Sequence, residues 1–257
     1  MNSCKKNFKD IKINILGCGS SLGVPVIACF CQVCTSNDPK NKRSRCSLTI
    51  SVNNKLILVD SGPDIRVQLI KANITHIDAV ILTHAHADHI NGLDDLRVFT
   101  KEKPLNIYTN KETIEIIKRH FNYLIDTGHF VLHEKDYNKK LSILGIDFTF
   151  LRQNHGNIES IGVKLDDFVY ANDLDSFPEE TIEHLIDTKY WVVDCVNYSS
   201  NDKHFGLDSV LSWAKKLKLE RIYLTNMSHR LDYNNLIEEL PGNVIPAYDG
   251  LEINFTF

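Results

Sequence analysis

Four side chains of the kinds that bind divalent metals lie within six consecutive residues of this chain. They are His84, His86, Asp88 and His89, in the segment THAHADH at residues 83–89. Burying three imidazoles and a carboxylate together is costly unless a cation gathers them. A short apolar run before the segment and an Asn-Gly step after it predict a loop at a strand end. From such a loop the first two histidines can approach one ion while Asp88 and His89 face another, so the spacing predicts a two-metal site. The alternative is a histidine-rich surface loop without a ligand.

The elements that must position this segment follow from hydrophobic periodicity. Strands are predicted at residues 12–16, 47–52, 55–59, 79–82, 148–151, 161–165, 168–171, 190–193, 221–224 and 253–257. Helices are predicted at residues 64–72, 111–121, 178–187, 207–217 and 233–240. Strands that alternate with helices in this way indicate an α/β fold with sheets covered by helices. Residues 122–140 fit no period, and they are interpreted either as a substrate-facing insertion or as a solvated loop.

Length and charge narrow the class of protein. The chain has 257 residues, 43% of them hydrophobic, and no linker or repeat, which predicts a single domain over residues 1–257. A net charge of −4 argues against a surface built for nucleic acid. No signal peptide follows the N-terminal lysines, and no apolar run approaches the ~18 residues of a membrane helix. We therefore expect a soluble, cytoplasmic protein without a membrane partner, and a homodimer is left open.

A second cluster of possible metal ligands lies among the seven cysteines. Cys29, Cys31 and Cys34 form a C-x-C-x-x-C knuckle, which aims three thiolates at one point and leaves tetrahedral zinc one ligand short. A distant residue must complete such a site, and the alternative is three reduced thiols on a loop. Of the other cysteines, Cys4 is interpreted as part of a loose N-terminal segment. Cys18, Cys46 and Cys195 are interpreted as small apolar side chains that are buried in the core.

The pattern His-x-His-x-Asp-His at residues 84–89 resembles the signature of the metallo-β-lactamase superfamily. Four further stretches, ILGCGSS, RCS, VDSGPD and YDGLE, are similar to its phosphodiesterase-like branch, which includes the cyclic-phosphate phosphodiesterase of the carbon–phosphorus lyase pathway. They lie at residues 15–21, 45–47, 59–64 and 248–252. The resemblance implies an αβ/βα sandwich of two mixed sheets flanked by helices, with metals at one edge between the sheets.

The resemblance also implies ligands for two active-site ions, zinc or manganese, and for one structural zinc. The implied active-site ligands are His84, His86 and His155 on the first ion, Asp88 and His89 on the second, and Asp173 bridging both. Asn226 stands where the branch has a histidine on the second ion, and an amide oxygen is a weaker, neutral donor. The second site is therefore expected to be weaker, selective for harder ions, or completed by another group. His229 is the implied fourth ligand of the cysteine site, unless it turns to the second ion.

Asp88 receives a second predicted role, and four further residues receive predicted roles in catalysis, substrate binding or ligand orientation. Asp88 and His204 are the catalytic candidates, because His204 aligns with a histidine that is placed in the branch to protonate the leaving alkoxide. Arg45, in the Arg-Cys-Ser step, is expected to hold a substrate phosphate through its guanidinium fork. Asp60 and Asp194 end apolar runs, and they either orient ligand histidines or cap loops.

The function expected from these residues is metal-dependent hydrolysis of a small phosphodiester by a water activated between the two ions. A cyclic nucleotide or a ribosyl phosphate is the expected kind of substrate. One alternative is a nuclease of the tRNA 3′-end processing type, which is not favoured because neither an extended arm nor a strongly basic surface is evident. The other is a metal- or metabolite-binding protein without catalysis, which Asn226 favours.

Overall fold

Two β-sheets face each other in the computed structural model, which describes residues 11–255. The first sheet contains β1 (Ile11–Gly17), β2 (Ser47–Val52), β3 (Lys55–Val59), β4 (Ala79–Ile81), β5 (Leu105–Thr109), β6 (Phe130–Glu134) and β14 (Leu251–Phe255). Within the described residues its order is β14-β1-β2-β3-β4-β5-β6. The pairs from β14 to β3 are antiparallel, and those from β3 to β6 are parallel.

The second sheet repeats this plan. Its strands are β7 (Lys140–Ile143), β8 (Ile146–His155), β9 (Ile158–Leu165), β10 (Phe168–Ala171), β11 (Tyr190–Asp194), β12 (Arg221–Thr225) and β13 (Val244–Pro246). Their order is β13-β12-β11-β10-β9-β8-β7. The pairs from β7 to β10 are antiparallel, and those from β10 to β13 are parallel. Both sheets are therefore mixed, as expected.

Helices pack outside the sheets. They are α1 (Gln32–Thr35), α2 (Ile65–Lys71), α3 (Ala87–Ile90), α4 (Lys111–His120), α5 (Asn122–Asp126), α6 (Glu179–Ile182), α7 (Leu207–Leu217) and α8 (Tyr233–Glu239). Short 3-10 turns cover Pro39–Asn41, Leu93–Phe99 and Glu183–Leu185. None of the helices in the described part of the chain is long and apolar enough to cross a bilayer.

Alternation along the central strands explains the layering. In β3, Ile57 and Val59 belong to the core cluster between the sheets, whereas Leu58 belongs to a second cluster with residues of α2 and α4. In β4, Val80 likewise points away from the cluster that contains Ile81. Successive side chains of a strand point to opposite faces, so an unbroken apolar run builds a sheet buried on both faces. The expected αβ/βα sandwich is confirmed.

Most predicted elements agree with the structure to within a few residues. The helix predicted at residues 178–187 instead breaks at Ile182 into α6 and a 3-10 turn. The strand predicted at residues 253–257 begins earlier, at Leu251, and its last two predicted residues lie outside the described range. The described structure covers residues 11–255, and the single domain expected over 1–257 stays a prediction.

Residues 122–140 form regular structure rather than a lid or an unstructured loop. They supply α5 and the edge strand β6, which pairs in parallel with β5. His129 Nδ1 lies 2.6 Å from Thr100 Oγ1, and His133 Nε2 lies 2.7 Å from Asn106 Oδ1. The sequence did not indicate β6 because a short edge strand with polar residues carries little periodic signal.

Candidate metal centre and catalytic cleft

Three imidazoles converge where β4 and β8 end. His84 and His86 lie in the loop between β4 and α3, and His155 is the last residue of β8. His84 Nε2 lies 2.9 Å from His86 Nδ1, and His155 Nε2 lies 3.3 Å from the same atom. Burial, reinforced by neighbouring histidines, lowers the pKa of all three side chains, so they present neutral nitrogen donors. This donor set fits a divalent ion bound by three nitrogens.

A second group of donors adjoins the first. His89 Nε2 lies 2.8 Å from Asp173 Oδ2 and 3.4 Å from Asp88 Oδ2. Burial opposes the charge of His89, but the carboxylates of Asp60, Asp173 and Asp88 raise its pKa well above the ordinary value. The carboxylates around His89 stabilise a cation, either the imidazolium or a metal ion. His84, His89 and Asp173 bring one ligand atom each within 4.8 Å of one another, a set that fits a second divalent ion, with Asp88 beside it. Asp173 lies two residues after the end of β10 and adopts a left-handed conformation, with φ of 51°.

The two oxygens of Asp173 face different partners. Oδ2 contacts His89, whereas Oδ1 accepts a hydrogen bond from Asn226 Nδ2 at 3.0 Å and lies 3.4 Å from His204 Nδ1. Burial opposes the charge of Asp173, but His89 and other histidines lower its pKa well below the usual range. The side chain stays ionised, with its oxygens turned to separate neighbours, which is the arrangement that a bridging carboxylate needs.

Asp60 holds two of the histidines from behind. Its Oδ2 lies 2.8 Å from His89 Nδ1, and its Oδ1 accepts a hydrogen bond from the Thr83 amide at 2.8 Å. Thr83 Oγ1 in turn lies 3.0 Å from His84 Nδ1. Occupying Nδ1 in this way leaves Nε2 of each histidine for the cluster. Asp60 is completely buried, and this geometry supports an orienting role over a loop cap.

His204 and Asp194 form a pair beside the same cluster. His204 Nδ1 lies 2.8 Å from Asp194 Oδ2, and the His204 and His155 rings are 4.9 Å apart. Burial opposes protonation of His204, but its hydrogen bond with Asp194 outweighs this and raises its pKa to about 9. Burial raises the pKa of Asp194 to about 6. The contact with Asp194 occupies Nδ1 of His204 and leaves Nε2 on the opposite side of the ring.

Asn226 presents its amide group to the cluster as a donor. Its Nδ2 donates to Asp173 Oδ1 and lies 3.4 Å from His204 Nδ1. The residue follows β12 in a left-handed conformation, with φ of 58°, which asparagine tolerates better than most residues. In this orientation Asn226 positions the carboxylate of Asp173 through Nδ2, and its role as a ligand of the second ion stays a prediction.

An open cleft of about 410 Å³ connects these groups with solvent. Side chains of both metal groups and His204 lie along it, together with residues that had no predicted role. The lining residues are Ser20, Ser21, Leu22, Val26, His86, Asp88, His155, Asp173, Val196, Asn197, Lys203, His204, Asn226, Ser228, His229 and Arg230. The cleft gives a small molecule access to the donors of both groups.

The predicted phosphate ligand Arg45 is not among these residues. Its Nη1 lies 2.9 Å from Asp64 Oδ1, and its Nε donates to the carbonyl of Ser21 at 2.9 Å. The guanidinium fork is thus used within the protein, where it fixes the loop that begins at Ser20. The cations that do line the cleft are Lys203 and Arg230, which sequence reasoning missed because no motif marks them.

The cysteine knuckle and His229 lie about 200 residues apart in the sequence but are in contact in the structure. His229 Nδ1 lies 3.2 Å from Cys29 Sγ and 3.5 Å from Cys31 Sγ, and Cys34 completes the group. A hydrogen bond from the Cys34 amide, with others from the cluster, lowers the pKa of Cys31 to about 6, whereas burial raises that of Cys34 to about 11. Three sulfurs and one nitrogen fit tetrahedral zinc. The structure thus places His229 with the cysteines rather than at the second active-site group.

A buried arginine ties the knuckle region to the strand end that carries Asn226. Arg43 is 1% exposed. Its guanidinium donates to the carbonyls of Ser228 and Leu231 at 3.1 and 2.8 Å, and to Asn41 Oδ1 at 2.9 Å. The segment that follows β12 is therefore fixed at both its catalytic and its cysteine end.

Similarity to known proteins identifies the family to which the chain belongs. A family model for the beta-lactamase superfamily domain matches residues 55–227. The chain belongs to this superfamily. A solved structure of a diphosphatase from the PhnP family superposes with a TM-score of 0.92 and 33% sequence identity, over 96% of this chain and 98% of that one. The resemblance to the metallo-β-lactamase superfamily and its phosphodiesterase-like branch is confirmed.

Two further relatives show how widely the superfamily fold is used. An octanoyltransferase of Porphyromonas gingivalis strain W83 is 30% identical over 247 residues, which are 93% of this chain but 50% of that protein. The chain thus spans half the length of this curated relative. Zinc-bound PqqB from Methylobacterium extorquens has a TM-score of 0.80 at 17% identity, over 94% of this chain and 99% of that one, a likeness of fold alone.

Superfamily membership carries two coarse conclusions. Members use divalent metals, and the grouped His and Asp side chains of this chain fit such ions. The expectation of a metal-dependent hydrolase is confirmed at the level of the superfamily.

Proposed function

We propose that this chain hydrolyses a small phosphodiester at the His/Asp centre. One observation carries the proposal: His204, whose Nδ1 is held by Asp194 Oδ2 at 2.8 Å, lines the same cleft as His86, His155 and Asp173. A metal-binding protein without catalysis has no need for a proton donor beside its donor cluster. The superposition with a PhnP-family diphosphatase supports hydrolysis at phosphorus.

Different residues of the chain would bind the metal ions, orient the ligands and donate a proton. When bound, two divalent ions would supply a water of lowered pKa and neutralise charge on the phosphoryl oxygens. His84, His86 and His155 would hold one ion, and His89 and Asp88 the other, with Asp173 between them. Asp60 and Thr83 keep the Nδ1 atoms of the ligand histidines occupied. His204 holds a proton at Nε2 for the leaving oxygen, and Asp194 keeps that ring charged.

The size and charge of the cleft favour a small substrate over RNA. A volume of about 410 Å³ suits a nucleotide-sized molecule. The net charge of −4 provides no general attraction for a polyanion. A tRNA 3′-processing activity therefore stays the second candidate, to be tested in parallel.

Turnover of bis(p-nitrophenyl) phosphate by the purified chain, with zinc or manganese added, tests the proposal. We expect release of p-nitrophenol and a loss of at least ~100-fold in kcat/KM for His86→Ala. For His204→Ala we expect a loss of ~100-fold in kcat with a cyclic ribose phosphate, whose leaving alkoxide needs a proton, and little change with the aryl ester, whose p-nitrophenolate leaves without one. His76→Ala is the matched control, because His76 is 66% exposed and lies outside the cleft. A precursor tRNA is assayed alongside.

The outcomes separate the candidate functions. Turnover that persists in His86→Ala contradicts the assignment of the site. Cleavage of precursor tRNA without hydrolysis of the aryl ester favours the nuclease. If none of the aryl ester, a cyclic ribose phosphate or the tRNA is cleaved, the chain is a binding protein.

A further inference from the structure

Two cations at the cleft have no acidic partner among the residues that the structure describes. Lys203 and Arg230 both line the cleft, and neither forms an ion pair with a carboxylate of residues 11–255. Arg45 and Arg152, by contrast, pair with Asp or Glu side chains. Unpaired cations along one cleft attract an anion, and the guanidinium fork of arginine suits a phosphate in particular.

Backbone contacts hold both cations close to the donor cluster. The Lys203 carbonyl lies 2.7 Å from His155 Nδ1, and the Lys203 stem lies so close to Gly156 that an added Cβ there would meet Cγ at 3.1 Å. Arg230 directly follows His229, and its amide donates to Ser228 Oγ at 3.3 Å. Both residues therefore line the cleft from backbone that is hydrogen-bonded to its neighbours.

Another part of the cleft wall is apolar. Leu22 and Val26 line it, and Leu22 is 64% exposed. The same loop continues to Ile27 and Phe30, which are 94% and 87% exposed. Three strongly exposed large apolar side chains within nine residues form a patch beside Val26, and Leu22 and Val26 of this loop reach the cleft wall. We call these four residues the apolar lip.

The lip is rigid enough to act as a binding surface. Val24 exchanges two backbone hydrogen bonds of 2.8 Å with Arg43, and the Gly23 amide donates to the Ser20 carbonyl at 2.7 Å. At its far end the loop enters the cysteine cluster, where the Val26 amide donates to Cys34 Sγ at 3.3 Å. A fixed apolar surface suits a planar group such as a nucleobase, since little side-chain or loop freedom is lost on contact.

From these features we infer that the substrate is a nucleoside diphosphate ester. Arg230 and Lys203 hold the phosphate that is not attacked, and Leu22 and Val26 of the apolar lip contact the base. This inference rests on the proposed function and adds the class of substrate to it. It assigns binding roles to four residues that no motif in the sequence marks.

The reaction balances for this substrate. The oxygen of water forms a bond to one phosphorus while the bond from that phosphorus to the bridging oxygen breaks. The bridging oxygen leaves with the electron pair and takes the proton from His204 Nε2. The water gives up a proton to solvent, His204 is reprotonated, and the products are two phosphate monoesters.

Arg230→Gln tests the phosphate site with ADP-ribose and bis(p-nitrophenyl) phosphate as the two substrates. We expect KM for ADP-ribose to rise about tenfold, as for the loss of one charge-assisted hydrogen bond, with kcat nearly unchanged. KM for the aryl ester, which has no second phosphate, stays the same. Arg221→Gln is the matched control, because Arg221 is exposed at the start of β12 and outside the cleft.

The double variant L22S/V26S tests the part of the lip that lines the cleft. We expect KM for ADP-ribose to rise at least fivefold, while KM for a cyclic ribose phosphate without a base stays within twofold. Ile186→Ser is the control for loss of an exposed apolar side chain, since Ile186 is 66% exposed and outside the cleft. Circular dichroism before each assay establishes that the variants are folded.

Two results overturn this inference and leave the proposed function standing. One is hydrolysis of the aryl ester without hydrolysis of ADP-ribose. The other is an equal change in KM for both substrates in Arg230→Gln. A chain that hydrolyses none of the aryl ester, a cyclic ribose phosphate and ADP-ribose with zinc or manganese added removes the proposed function itself, and the two failures are thereby distinguished.

Discussion

Asp60 offers the sharpest test of how the donor cluster is held. Its carboxylate is completely buried and accepts hydrogen bonds from the Thr83 amide and from His89. In Asp60→Asn the side chain keeps its shape and one carbonyl oxygen. That oxygen can serve Thr83, but the new amide group then faces His89 Nδ1–H as donor against donor. His89 loses the contact that directs its Nε2 toward Asp173.

The size of the effect follows from that single lost contact. A hydrogen bond to a charged group contributes about 1.5–3 kcal/mol. At about 1.4 kcal/mol per tenfold change in affinity, metal binding at the His89 group should weaken ~10–100-fold. The first group, with His84, His86 and His155, should change less, because Asp60 reaches His84 only through Thr83.

Titration of the chelator-treated protein with manganese or zinc measures the two affinities by calorimetry. Asp78→Asn is the matched control, because Asp78 also accepts a backbone hydrogen bond, from the Leu56 amide at 3.0 Å, but lies outside the cleft. We expect weaker binding of the second ion in Asp60→Asn and unchanged binding in the control. Affinities within twofold of the parent for both ions would refute the orienting role of Asp60.

Three other measurements test different parts of the structure. Arg43→Met removes the four hydrogen bonds of a buried guanidinium. The free energy of unfolding, measured in urea, should fall by ~3–5 kcal/mol. The control Arg221→Met, at an exposed position, should lower it by about 0.5 kcal/mol or less. Cys31→Ser should remove one tightly held zinc per chain in metal analysis and leave the exchangeable ions in place; an unchanged zinc content would exclude the knuckle as a site. Burial opposes the charge of Asp78, but the Leu56 amide and a nearby lysine lower its pKa below the ordinary value. The ionised carboxylate of Asp78 therefore stabilises the folded protein above the unfolded-state pKa of about 3.9, and this stabilisation is lost as pH falls through the pKa of Asp78 in the folded protein. Asp78→Asn should consequently lower the free energy of unfolding at neutral pH and leave it equal to that of the parent in acid.

Local patterns in the sequence were sufficient for much of the fold. The apolar runs of β2, β3 and β10 and the helical spacing of α7 predict those elements residue for residue. Strongly apolar elements are buried on one or both faces, so burial and local propensity agree. The edge strand β6 was missed because its partner β5, rather than its own composition, makes it a strand.

The sequence by itself determined the chemistry of the chain. Histidines and a carboxylate at residues 84–89 are dense enough to predict metal binding, and three closely spaced cysteines predict a knuckle. Ligand type and short spacing are local properties, and they need no tertiary information.

Only the tertiary structure decided what each long-range partner does. It placed His229 with the cysteines, turned the Asn226 amide toward Asp173, and engaged Arg45 with Asp64 and Ser21 instead of the cleft. It also brought Lys203 and Arg230 to the cleft wall. The physical reason is that the partner of a charged or polar side chain is set by which groups folding brings within hydrogen-bond distance. Residue type alone states only what a side chain can bind.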